Sequence, residues 1–153
     1  MASIELQTRG FEIFDAKLKA METKVAKSIV KTATRTAAKN TLKEVKSNAR
    51  SMIGGEMGQL IEKWAKIIVF KHQRKGSWGV QIGMKAGVPE FTDYSKVGRR
   101  NYIPSAIEFG HGNARPIPYI RKAWEKTKKQ DVRIMGRELK KGIEREARRG
   151  GKG

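Results

Sequence analysis

From Phe11 onward, apolar residues recur at intervals of three and four: Phe11, Phe14, Leu18, Met21, Val25 and Ile29. Lys17, Lys19, Lys24 and Lys27 lie off that stripe, and the period predicts an amphipathic helix over 11–30. A second helical stripe follows almost without a break, through Val30, Ala33, Ala37, Ala38, Leu42, Val45, Ala49 and Met52. It is rich in small residues, which let backbones approach closely, so this helix is expected to pack tightly against the first or against a neighbouring subunit. Gly54-Gly55 is expected to end it, because glycine readily takes the left-handed conformation at a helix C-terminus.

The period then changes. Lys66-Ile67-Ile68-Val69-Phe70-Lys71 is short and β-branched, which suits a strand. Trp78, Val80, Ile82 and Met84 alternate with Gly79, Gln81 and Gly83, the period of a half-buried strand. Arg74-Lys75-Gly76-Ser77 supplies turn residues between them, so a β-hairpin is predicted over 66–84. The stretch from Gly87-Val88-Pro89 to Arg99-Arg100-Asn101 has no period and reads as a loop that orders when it meets a partner. Pro104 suits the first turn of a short helix over Ser105–Phe109, and Gly110-His111-Gly112-Asn113 breaks it. After Pro116 and Pro118 one helix is predicted from Tyr119 to Lys129, and a last one from Val132 to Ala147 with Met135, Leu139 and Ile143 inward. The basic tail at 148–153 is expected to fray. The fold class is α+β: two N-terminal helices, a central β-hairpin or small antiparallel sheet, and C-terminal helices, in one domain over 1–153.

Composition narrows the function. The 153 residues suffice for one modest core, and 38% are hydrophobic, enough to fold. With no cysteine, disulfide staples, thiolate chemistry and the usual zinc fingers are excluded. No apolar run approaches the roughly 20 residues that cross a bilayer, and Met1-Ala2-Ser3-Ile4-Glu5 lacks a basic-then-apolar leader. The expectation is a soluble protein, made and used in a cytoplasm, with no membrane partner. Charge changes the picture most: 34 Lys and Arg against 15 Asp and Glu, a net of +19, densest after residue 120. Such a field attracts polyanions and repels its own copies. DNA phosphates and acidic protein surfaces would both answer to it, and so would solvent alone.

Little in the chain is suited to catalysis. The two histidines, His72 and His111, are far apart, and no spacing of His, Asp or Glu suits a metal. Gly76, Gly79 and Gly83 are scattered and do not form a phosphate loop opening a helix. The expectation is a non-enzyme with no cofactor, no metal and no catalytic residue. A nuclease-like reading would have to use His111, Glu108 and Arg115. Trp64, Trp78 and Trp124 are widely separated and suit core packing better than base stacking.

The most specific segment is Tyr102 to Glu125, YIPSAIEFGHGNARPIPYIRKAWE. A short helix ends in Glu108-Phe109-Gly110, a small polar loop follows, and Pro118-Tyr119-Ile120-Arg121-Lys122-Ala123 opens the next helix. A local explanation is available: Pro118 presets the backbone, Tyr119 and Ile120 dock the first turn, and Glu108 pairs with Arg121. This segment also resembles the signature of the HK97-type tail-completion (neck) protein family of tailed bacteriophages, to which lambda tail protein Z is related. In that family a Glu-aromatic-Gly turn is followed by Ala-Arg-Pro-aromatic-aliphatic-Arg-Pro-Ala and a C-terminal helix. Pro118, Tyr119, Ile120, Arg121 and Ala123 match, while Lys122 replaces the second proline. Ala114-Arg115-Pro116 reads like the start of the motif with two residues inserted. The usual threonine-glycine loop after the second helix is replaced by Gly54-Gly55-Glu56-Met57-Gly58.

The resemblance implies a structural virion protein at the head–tail junction, assembled in the host cytoplasm. It implies a homo-oligomeric ring around the DNA channel that contacts the connector or stopper and the tail-terminator or tail-tube proteins. Glu108, Phe109, Arg115, Pro118, Tyr119 and Arg121 are then the candidate interface residues. Lys96, Arg99 and Arg100 in the 86–101 loop, with Arg137, Lys140, Arg145 and Arg148 near the C-terminus, form the candidate basic contact surface. The alternative from charge alone is a basic accessory protein that binds DNA without sequence preference.

Overall fold

The computed structural model describes residues 11–71, 78–93 and 101–150. The order is α1 (Glu12–Lys19), α2 (Thr23–Asn48), a π-turn (Ala49–Ile53), α3 (Gly55–Trp64), β1 (Ala65–Lys71) and β2 (Trp78–Met84). There follow a 3₁₀ turn (Pro89–Phe91), β3 (Thr92–Asp93), β4 (Asn101–Tyr102), α4 (Ile103–Phe109) and α5 (Tyr119–Gly150). The described residues are mostly helical with two small two-stranded antiparallel sheets, β1 with β2 and β3 with β4, an α+β arrangement. They group into two compact units. One holds the described residues up to Ala37 together with those from Lys129 onward; the other holds the described residues from Ala38 to Lys128.

In the unit of the two chain ends, α2 and α5 run antiparallel. Ile29 packs where Gly142 leaves room, so close that a Cβ there would sit 2.6 Å from its Cγ2. Thr34 Oγ1 lies 3.9 Å from Met135 Sδ. Ala33 and Ala37 are buried from α2, and Leu139 and Ile143 from α5. Phe11 stacks edge-on against Phe14, with ring centroids 5.7 Å apart, and reaches toward Gly136 of α5.

The central unit holds the cluster Val45, Ala49, Ile61, Ala65, Met84, Val88, Phe91, Tyr119 and Ala123. Here too α2 and α5 are antiparallel: Thr41 and Thr127 share a buried 2.6 Å hydroxyl hydrogen bond, and Lys126 Nζ donates to Glu44 Oε1 at 2.6 Å. The end of α2 widens into the π-turn, closed by the Gly54 N–H on the Ala49 carbonyl at 3.1 Å. Gly54 at φ 66° then reverses the chain into α3. Gly58 of α3 lies against the Ala49 carbonyl, and Arg50 pairs with Glu62, holding that carboxyl below its usual range through the hydrogen bond. In the hairpin Ala65 faces Met84 and Val69 faces Val80. This register puts Ala65 and Met84 into the core and leaves Ile68 lying over Gly83.

Several sequence expectations need correction. The helix expected over 11–30 is two: the chain leaves the helix at Ala20 and re-enters at Thr23, so residues 23–30 belong to α2. Ala20, Met21 and Glu22 are all good helix formers, so propensity does not account for the break. Gly54 does end the second helix, but Gly55 starts α3, which the pattern reading omitted. Ala49, a small residue of that stripe now in the π-turn, makes its close approach to this unanticipated helix at Gly58. The 87–101 loop is not without structure: Val88 and Phe91 are buried in the core and β3 pairs with β4. The two C-terminal helices are one, since Lys129-Gln130-Asp131 contains no breaker. The helix also runs on to Gly150, with Arg149 3.9 Å from Glu146 near its end. The predicted turn at 74–77, His72 and the tail at 151–153 lie outside the described residues.

Candidate functional site

The candidate interface residues converge on one corner of the central unit, where α4 ends and α5 begins. A helix start leaves its first N–H groups without intrahelical partners. Here a carboxylate from another helix takes them. Glu108 Oε2 accepts the Ile120 N–H at 2.8 Å, and Oε1 accepts the Arg121 N–H at 3.0 Å. The Arg121 side chain closes the clamp, donating from Nε to Glu108 Oε1 at 3.1 Å and from Nη2 to the Glu108 carbonyl at 3.0 Å. The negative group sits where the partial positive charge of the helix N-terminus favours it.

The connecting segment is shaped for this. Gly110, at φ 80°, turns the chain where a Cβ would come 2.9 Å from the Ala114 carbonyl and 3.2 Å from Pro116. The Ala114 N–H returns to the His111 carbonyl at 3.0 Å, and the Ile117 N–H reaches back to Ile107 at 2.7 Å. Tyr119 is fully buried; its hydroxyl donates to the Pro104 carbonyl at 3.3 Å, and its own carbonyl accepts from Asn48 Nδ2 at 3.0 Å. α2, α4 and α5 are thereby tied at one point.

Burial, the Glu108 charge and Tyr102 together push the Tyr119 phenol well above the ordinary tyrosine range. Its folded pKa is raised, so this contribution is fully present below the unfolded value of about 10 and is lost as pH rises beyond it, by up to ~1.4 kcal/mol per pH unit. Tyr119→Phe is expected to cost about 1 kcal/mol at neutral pH through the lost hydrogen bond. Urea melts at pH 8.5 and 11 check this: the variant should match or overtake the wild type at the higher pH. A gap that stays constant would contradict it.

The corner divides its residues by role. Glu108, at 2% exposure, and the fully buried Tyr119 act by holding the corner together. Phe109, at 67% exposure, is displayed beside the Arg121 guanidinium, 5.3 Å from its ring centroid. Tyr102, overlooked in the sequence reading, is 46% exposed and stacks edge-on against the buried Phe91 at 6.3 Å. Asn48 was also overlooked, because nothing local marks it as a partner of Tyr119. Pro118 is half-buried and its carbonyl takes the Lys122 N–H at 3.0 Å. Arg115 is exposed in the connecting segment and joins no ion pair among the described residues.

The candidate basic surface is only partly brought together. Arg137, Lys140, Arg145 and Arg148 are all exposed on α5 in the other unit, while Lys96, Arg99 and Arg100 lie outside the described residues. As to chemistry, both Glu108 oxygens are occupied, so this carboxylate holds a helix end rather than offering a base. Among the described residues no group of three or more His, Asp or Glu could hold a metal ion. None of the described helices is long and apolar enough to cross a membrane. No protein-family model, no curated protein and no solved structure matches the chain.

Proposed function

We propose that the protein is a structural joining subunit of a tailed bacteriophage, a tail-completion or neck component at the head–tail junction. On this reading it works without catalysis, as part of a homo-oligomeric ring around the DNA channel. The ring is assembled in the host cytoplasm and meets the connector or stopper on one side and the tail-terminator or tail-tube proteins on the other. The observation that carries the reading is the corner itself. Glu108, Ile120 and Arg121, among the residues on which the family resemblance rests, form one hydrogen-bonded unit, and Phe109 and Arg121 stand out toward solvent from it. A large exposed aromatic beside an arginine is what protein interfaces select for their centres.

The test is electron microscopy of particles made without this gene. DNA-filled heads separate from finished tails support the reading; normal, joined, infectious particles overturn it. A point variant sharpens the result. Phe109→Ser removes a ring that is 67% exposed, so it should change stability by no more than ~0.5 kcal/mol. It should nonetheless cut the yield of joined particles about tenfold or more, since loss of an interface anchor costs on the order of 2 kcal/mol at each contact. Wild-type joining by a stably folded Phe109→Ser protein would remove this corner from the interface.

A further inference from the structure

The unit of the two chain ends carries a second surface that the corner does not explain. From Lys129 to Arg148, α5 presents Lys129, Arg133, Arg137, Lys140 and Arg148 at spacings of four, four, three and eight. At about 100° per residue they fall within an arc of roughly 100°, and they extend over about 29 Å of helix axis. All are exposed, while Leu139 and Ile143 point into the unit. Glu144 is the acid on that arc, and its carboxylate is a loose 4.0 Å from Lys140. Lys129, Arg133, Arg145 and Arg148 have no acidic partner among the described residues.

We propose that this face of α5 binds the phosphate backbone of duplex DNA without sequence preference, independently of the joining role. Two features favour DNA over an acidic protein. A protein interface needs an apolar or aromatic centre and is depleted in lysine there. This face has none: among the described residues the exposed large hydrophobics are Ile13, Val30, Tyr102 and Phe109, all outside α5. A phosphate backbone asks only for cations, which gain by releasing the counterions condensed on it. Residues 129–150 also contain no aromatic side chain on which an unpaired base could stack, so a duplex suits the face better than a single strand. The row is a little shorter than one turn of B-DNA, which repeats about every 34–36 Å.

The test uses the full chain and fluorescence anisotropy with a labelled random-sequence duplex of about 30 base pairs between 50 and 200 mM NaCl. With about five phosphates neutralised, log K should fall against log salt with a slope near −4.5, and an unrelated duplex should bind equally well. The exposed combination Lys129→Gln, Arg133→Gln, Arg137→Gln and Arg148→Gln should reduce the slope by about 3.6 units and weaken binding at least ~30-fold at 0.1 M salt. A control with the same charge change elsewhere, Lys39→Gln, Lys43→Gln, Arg115→Gln and Lys122→Gln, should lose far less. Equal losses in the two sets would reduce the effect to net charge and overturn the proposal. An unchanged slope in the first set would overturn it too. Binding to polyglutamate as tight as to the duplex, at equal charge concentration, would reassign the face to an acidic protein.

Discussion

Glu108→Ala is expected to lower the thermal midpoint by about 10 °C. Three charge-assisted hydrogen bonds end on the side chain, two of them from the backbone N–H groups that start α5. Hydrogen bonds to a charged group contribute about 1.5–3 kcal/mol each, though not additively. Water can reach the half-buried Ile120 N–H and the exposed Arg121 in the variant, so the sum is discounted to a net loss of ~3–4 kcal/mol. For a chain of this length each kcal/mol moves the midpoint by about 2–4 °C. Arg121→Ala should cost under ~1 kcal/mol, because its side chain is more than half exposed and the pair is screened there. Glu108→Gln should fall between the two, since its amide NH₂ would face a backbone donor. Calorimetry on the three variants checks the order. If Glu108→Ala melted within a degree or two of wild type, the cap would not be what holds α4 to α5.

Gly58→Ala should destabilise the protein by about 2 kcal/mol, although alanine is the better helix former. The new methyl would sit 2.6 Å from the Ala49 carbonyl oxygen, well inside contact distance. That oxygen is backbone and cannot rotate aside. It also accepts the Gly54 N–H that closes the π-turn, so any retreat loosens the junction of α2 with α3. Overpacking of this kind costs about 1–3 kcal/mol or more, against a propensity gain of about 1. Gly142→Ala offers the contrast within the other unit. There the clash at 2.6 Å is with Cγ2 of Ile29, a side-chain methyl rather than a backbone atom, though its place one bond from Cβ on a β-branched residue limits how far it moves. The net cost should be smaller, on the order of 1 kcal/mol after the propensity gain, and denaturant melts of the two variants separate the cases. Equal costs would mean that the contact at Gly58 relaxes as easily as the one at Gly142.

Some of this was legible along the chain. Strict alternation from Trp78 to Met84 and the β-branched run before it placed both strands, because a period of two gives a strand one buried face. Pro104 and Gly110 bounded α4, and the pairing of Glu108 with Arg121 could be anticipated from their places around the turn. α3 was readable as well: Met57, Leu60, Ile61 and Trp64 stand at the spacings of one helix face. Gly55 and Gly58 disguised them, since glycine argues locally for a turn.

The sequence by itself therefore determined most of the helices, the two strands of the hairpin and the pairing of Glu108 with Arg121, which follow from periodicity and turn residues over short stretches. Only the tertiary structure decided the rest. The break at Ala20–Glu22, the continuity of α5 through Lys129-Gln130-Asp131 and the burial of Val88 and Phe91 have no local signature. Asn48 reaching Tyr119 and Ala49 meeting Gly58 depend on which surfaces come together across many residues of chain. Local propensities differ by less than ~1 kcal/mol per residue for ordinary residues, whereas burying one large side chain contributes about 1.5–3 kcal/mol. Where the two disagree, packing decides the conformation.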